Sequence, residues 1–172
     1  MADGFHAALA DLAALSIPIV AAVQGHAVGA GFGLAMMADV ILAADDARFS
    51  TGYARLGLSA DAGVSWSLTR ALGLRRARSL LLTAGQITAD QALSMGLIDQ
   101  VLPAPLLSKA AEDAALAFAR GPTPAYAAIK MLTAEAETAE DFAGHLMRER
   151  DSVVRLADHP QVRAAILSIV NR

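Results

Sequence analysis

The 172-residue chain contains no cysteine, so disulfides, thiolate nucleophiles and thiolate metal sites are excluded together. It has only four histidines, His6, His26, His145 and His159, none paired with another at ligand spacing, and no metal centre is expected. Aromatics make up 5% of the residues and the net charge is −3, without a basic block or aromatic ladder, which argues against a nucleic-acid partner. An uninterrupted hydrophobic run is lacking too. "SIPIVAAVQGHAVGAGFGLAMMADVILAA" is broken by Gln24, His26 and Asp39 and has no basic flank, so its apolar character is read as a buried α/β core and not as a membrane span. The residues ahead of it do not read as a signal peptide, and the cytoplasm is the expected location. Glutamate is missing from the first 111 residues, since all five lie between Glu112 and Glu149. Carboxylate chemistry in the front of the chain must therefore use aspartate.

What remains is a length sufficient for one domain with a substantial core, burying roughly two thirds of the extended-chain surface. "MADGFHAALADLAALS" has helical spacing at Phe5, Leu9, Leu12 and Leu15, and "IPIVAAV" reads as a buried strand with Pro18 confined to its beginning. Gly25, Gly29, Gly31 and Gly33 then suit a tight turn leading into a helix over "FGLAMMA". "DVILAAD" and "ARFS" read as short strands, and "LSAD" as a loop with caps for a helix that ends near Gly73. A second helix over "RRARSLLLT", a third capped by Thr88 or Asp90, and a strand over "LIDQVLP" follow. Everything after Pro105 reads as helix.

The glycine-rich turn can serve in two ways. Glycines permit dense packing against a neighbour, and a strand-to-helix turn presents unpaired N–H groups that attract an oxyanion, phosphate or carboxylate. No Lys-Ser/Thr pair ends the segment, and "GHAVGAGFG" does not fit G-x-G-x-x-G, so neither nucleotide fingerprint applies. Asp61, in "LGLSADAGVSW", is either a helix cap or solvated loop residue, or a proton carrier if it faces a closed pocket. Tyr53 and Trp66 are packing aromatics or walls of an apolar pocket. Asp45, Asp46 and Arg48 read as a charged turn, and His26 as a core or supporting histidine.

"IPIVAAVQGHAVGAGFGLAMMADVILAADDARFS", "GLSADAG" through "LTRALG", and "LLLTAGQITADQALSMGLIDQVLP" together resemble the enoyl-CoA hydratase/isomerase, or crotonase, family over Ile17 to Pro103. The resemblance implies an α/β fold of the ClpP/crotonase type, a partial spiral of β-β-α units over residues 1–103, followed by a C-terminal helical region over 104–172. It also implies an acyl-CoA thioester as substrate, no further cofactor, and assembly as a homotrimer or homohexamer. Chains of the family usually carry a further N-terminal region that supplies the first oxyanion donor, part of the CoA surface and several spiral strands, whereas this sequence begins just ahead of the central motif.

Carried onto this chain, the family pattern places the second oxyanion-hole donor on the backbone of Ala30, flanked by Gly29, Gly31 and Phe32 at the acyl thioester. One such donor is worth roughly 3 to 4 kcal/mol in the transition state. The two glutamates of the hydratases fall on Gly33 and Tyr53, and both carboxylates are missing. Asp61 falls where dienoyl-CoA isomerases and the ring-epoxide isomerases of phenylacetate catabolism carry a catalytic aspartate, and where 4-chlorobenzoyl-CoA dehalogenases carry a nucleophile. The expectation is an acyl-CoA isomerase with Asp61 and the Ala30 N–H as catalytic groups and Gly29, Gly31, Phe32, Tyr53 and Trp66 around the substrate. The alternatives are a hydratase or dehalogenase-like enzyme, and an inactive CoA-binding or oligomerisation subunit.

Overall fold

The computed structural model describes residues 2–170. The chain divides into two compact units, one formed by residues 1–15 and 19–115 and the other by residues 16–18 and 116–172.

The first unit opens with α1 (Ala2–Ala13) and then repeats one device. β1 (Val20–Val23) and β2 (His26–Val28) are followed by α2 (Ala30–Ala35); β3 (Val40–Ala44) and β4 (Arg48–Ser50) are followed by a single 3-10 turn (Tyr53–Leu56) and α3 (Val64–Thr83). The first strand of each pair joins one sheet and the second joins another. β1 pairs parallel with β3, Val20 opposite Val40, while β2 pairs parallel with β4, His26 opposite Arg48. β5 (Gln86–Thr88) closes the second sheet antiparallel to β4, and after α4 (Ala89–Ser94), β6 (Gln100–Leu102) extends the first sheet in the order β1-β3-β6. Each β-β-α unit is thus one turn of a spiral, displaced by one strand from the last.

An aspartate sets the start of each added strand in the first sheet. Asp39 accepts the Ile19 N–H at 2.7 Å, and Asp99 accepts the Ile41 N–H at 2.7 Å. Each reaches from the residue before its own strand to a backbone donor in, or just ahead of, the neighbouring strand, part-buried at Ile41 and exposed at Ile19.

The core lies between these layers. Phe32 and Phe49 are fully buried with ring centroids 5.3 Å apart, and Val64, Leu68 and Ala77 from α3 are equally closed to water. Ser50 and Thr51, buried at the end of β4, are satisfied by donating to the carbonyls of Ala84 and Leu80. Gly73, at φ 73 and ψ 159, breaks α3 into the two helices expected on either side of it. Thr88 is the cap of α4, in a reciprocal capping box with Gln91.

Three expectations change. β2, set among the glycines of the turn, β5, which runs into the Thr88 cap, and the 3-10 turn are additions to the expected elements. α2 stops at Ala35 instead of running through Ala38, because Asp39 turns away to pair with Ile19. The junction before α3 has Gly63 at the cap position without a side-chain hydrogen bond, so Asp61 does not cap that helix.

The second unit is helical: the end of α5 (Ala104–Arg120), then α6 (Thr123–Ala136), α7 (Phe142–Ala157) and α8 (Pro160–Val170). Phe118 and Tyr126 meet edge to face at 5.4 Å, Asp141 caps α7 by accepting the Gly144 N–H, and Lys130 donates to the Ile17 carbonyl at 3.1 Å. No described helix is long and apolar enough to cross a membrane.

Candidate active site

The glycine turn is where β2 hands over to α2. Gly29 adopts φ 55 and ψ −117, a conformation strained for any side chain, and its N–H donates to Ser50 at 2.9 Å, ending the β2–β4 ladder. Gly33 N–H already donates to Gly29, so the donors without a partner inside α2 are those of Ala30, Gly31 and Phe32. Ala30 and Gly31 are exposed; Phe32 is fully buried, its ring against Phe49, so it does not line the substrate space as expected.

Tyr53 lies directly on this turn. A Cβ placed on Gly29 would stand 3.3 Å from the Tyr53 ring and 3.5 Å from its hydroxyl oxygen, so the glycine is what lets the ring approach. Burial, and then the negative charge of Asp61, push the Tyr53 hydroxyl above its usual pKa, which keeps it a neutral donor.

Asp61 therefore bears on the same place. Its carboxylate is half-exposed and receives two donors: the backbone N–H of Ala62, and Nε2 of His6, 2.6 Å from Oδ1. The Ala62 hydrogen bond first and the His6 hydrogen bond second hold the carboxyl below its ordinary pKa, so the resting form is the carboxylate.

Ala62 itself is a buried alanine at φ 54, in the left-handed region. Its carbonyl points at α2, where a Cβ on Gly33 would come within 2.2 Å of that oxygen. No side chain fits at Gly33 while Ala62 holds this conformation.

Beside Tyr53 opens a pocket of about 300 Å³ walled by Tyr53, Leu58, Ala60, Leu74 and Leu81, with Arg78 as its charged lining residue. Asp61, half-exposed, is not part of this lining, so this pocket does not enclose the carboxylate as a proton carrier in a closed pocket would require. Trp66 is not part of it either. It is 62% exposed, with the Arg70 guanidinium stacked 3.2 Å from its ring centroid.

The structure thus brings Gly29, Ala30, Tyr53 and Asp61 to one locality, leaves Trp66 apart and turns the Phe32 ring inward. His6 is assigned no role by the sequence. Its pairing with Asp61 spans 55 positions, and no local pattern announces it. Among the described residues, no group of His, Asp or Glu could hold a metal ion.

Comparison with known proteins agrees with this architecture. Residues 2–168 match the family described as "Enoyl-CoA hydratase/isomerase". A protein named "Probable enoyl-CoA hydratase" from Rhodobacter capsulatus is 43% identical over 114 residues, 66% of this chain and 44% of that protein. The 1,2-epoxyphenylacetyl-CoA isomerase of Escherichia coli K12 is 39% identical over 127 residues, 74% of this chain and 48% of the isomerase. The chain thus spans about half the length of these curated relatives. Among solved structures, an enoyl-CoA hydratase from Polaromonas sp. JS666 superposes with a TM-score of 0.93 at 34% identity, covering 99% of this chain and 66% of that one. The expected ClpP/crotonase-type α/β spiral is therefore the fold.

Proposed function

The chain belongs to the enoyl-CoA hydratase/isomerase family, and from that premise we propose that it serves acyl-CoA isomerisation, Asp61 moving a proton between two carbons of a thioester. As the C–H bond breaks, its electron pair enters the thioester system as an enolate, and the Ala30 N–H stabilises the developing oxyanion. The protonated Asp61 then returns the proton to a second carbon and is regenerated as carboxylate. Water takes no part in the bond changes. The pocket beside Tyr53 would take the acyl group, and Gly29 and Gly31 would shape the thioester end.

The observation that carries this reading is the placement of Asp61. Its charge acts on Tyr53, and the Tyr53 ring rests on Gly29, one residue before Ala30. A carboxylate base and an N–H donor thus flank one aromatic side chain. The relatives include both hydratases and an isomerase by name. Against hydration by two carboxylates stands Gly33, whose Cβ position is closed by the Ala62 carbonyl at 2.2 Å.

The same proposal extends to a cytoplasmic homotrimer or homohexamer acting on aromatic or unsaturated acyl groups of the kind met in phenylacetate or fatty-acid breakdown. Exposed apolar residues of α7, Phe142 at 75% and Val153 at 67%, support self-association. Light scattering coupled to size exclusion tests this part, a monomer at micromolar concentration being the contrary result. The chemistry is tested by mass spectrometry of products from 3-enoyl, 3,5-dienoyl and epoxyphenylacetyl thioesters. Isomerisation leaves the mass unchanged, whereas a product heavier by one water would establish a hydratase.

A further inference from the structure

We propose that His6 is a positioning residue for Asp61: its Nε2–H, donated to Oδ1 at 2.6 Å, fixes the orientation of the carboxylate that carries the proton. The inference rests on the reading of Asp61 as the proton carrier and deepens it.

An ionised carboxylate offers only acceptor sites, and a half-exposed one turns freely about its terminal torsion unless donors pin it. Asp61 has two, from separate parts of the fold. The Ala62 N–H is fixed by the backbone, because the left-handed Ala62 is wedged where Gly33 admits no side chain. The His6 imidazole arrives from α1, where it shares a helix face with Leu9 three residues on, and Leu9 is buried at 7% exposure. Leu9 thus anchors the face that presents His6.

The consequence concerns geometry at the moment of transfer. A carrier that takes a proton from one carbon and gives it to another must hold one oxygen on the path of both, and small misplacements are costly. Throughout the cycle the C–H bond electrons pass to the enolate and back, the proton rides on Asp61, and His6 keeps its Nε2 proton. Of the elements around Asp61, α1 carries His6 and, further along, Asp11, and the 3-10 turn carries Tyr53 and Arg55; of these, His6 is hydrogen-bonded to the carboxylate and Tyr53 feels its charge, while α2 and the first turn of α3 carry no titratable group.

The test compares the chain with His6→Ala and His6→Gln. Carbon NMR of the Asp61 carboxyl follows its titration without any substrate, and the pH profile of thioester isomerisation follows its use. In His6→Ala the loss of a donor to the charged form moves the Asp61 titration to higher pH and shifts the acid limb of kcat/KM with it. kcat falls roughly ten- to a hundredfold with KM little changed. His6→Gln keeps a donor and restores both readouts part of the way. His6→Asn, polar but too short to reach, is the second variant where His6→Ala does not fold. An Asp61 titration unchanged in a folded His6→Ala or His6→Asn chain overturns the proposal. A titration that moves, with no form converting a thioester, upholds the pairing and overturns the isomerase reading instead.

Discussion

The two units bury very different things. The α/β unit encloses Phe32, Phe49, Val64 and Leu68 completely, whereas in the helical unit Ala128 and Ser152 are the only buried residues among those described. Large apolar side chains there stand in the open, including Phe142, Met147, Val153 and Val154 at 75%, 56%, 67% and 65% exposure. Both stretches are rich in alanine and leucine, so composition does not separate them. The difference is architectural: two sheets and the helices over them generate an interior, and a succession of helices in a single chain leaves one face of each uncovered. The candidate chemistry sits wholly in the unit that has its own core, where backbone N–H groups and a carboxylate can be held in place.

The contrast can be broken first in stability. Phe49→Ala removes a ring that is fully buried against Phe32, and chemical denaturation is expected to show a loss of about 3–5 kcal/mol. Phe142→Ser, at an exposed position, is expected to stay within about 0.5 kcal/mol while lowering self-association. Equal losses would mean that the helical unit carries a core of its own.

Restoring a carboxylate at the crowded turn comes next. Gly33→Glu sets a side chain against the Ala62 carbonyl, and the strain of overpacking is expected to cost about 1–3 kcal/mol without producing hydration of an enoyl thioester. A stable, hydrating Gly33→Glu chain would show that Ala62 yields easily and that the carboxylate alone was missing. Thr88→Ala opens the capping box of α4, and thermal unfolding is expected to register about 1 kcal/mol.

The smallest effect is electrostatic. Asp61 has a depressed pKa in the folded chain, so its contribution to stability is present above the unfolded pKa and is lost as pH falls through the folded one. The carboxylate is half-exposed and solvent screening keeps the contribution small. Comparing acid unfolding of the chain with that of Asp61→Asn checks the sign. The difference between the two should shrink as the medium becomes more acid than the ordinary aspartate range.

How far the sequence spoke depends on the range of each interaction. β1, β3, β4 and β6, the break at Gly73, and a cap for α4 at Thr88 or Asp90 all rest on local patterns and were legible, the structure choosing Thr88. β2 and β5 were not, since β2 lies among the glycines of a turn, β5 runs straight into the Thr88 cap, and their pairing with β4 is decided by register with distant partners. The family fold was legible from motifs and not from periodicity. At the site, the glycine turn, Tyr53 and a lone Asp61 in an apolar loop stand out in the chain, and it is the family resemblance that gives the Ala30 N–H and Asp61 their expected roles. His6 was invisible in its role, being joined to Asp61 across 55 positions by a helix whose docking depends on Leu9. The closure of Gly33 by the Ala62 carbonyl was equally hidden, since it arises from the left-handed backbone of an alanine, which sequence does not favour.

The central claim is that Asp61 carries the proton. Its most direct test is the turnover of 3-enoyl, 3,5-dienoyl and epoxyphenylacetyl thioesters by the 172-residue chain and by Asp61→Asn, with folding checked by circular dichroism and thioester binding by calorimetry. The account predicts isomerised product from the unaltered chain, a loss of roughly a hundred- to ten-thousandfold or more in Asp61→Asn, and thioester binding largely retained. Equal turnover by the two chains, or a folded chain that binds thioesters and converts none, would contradict it.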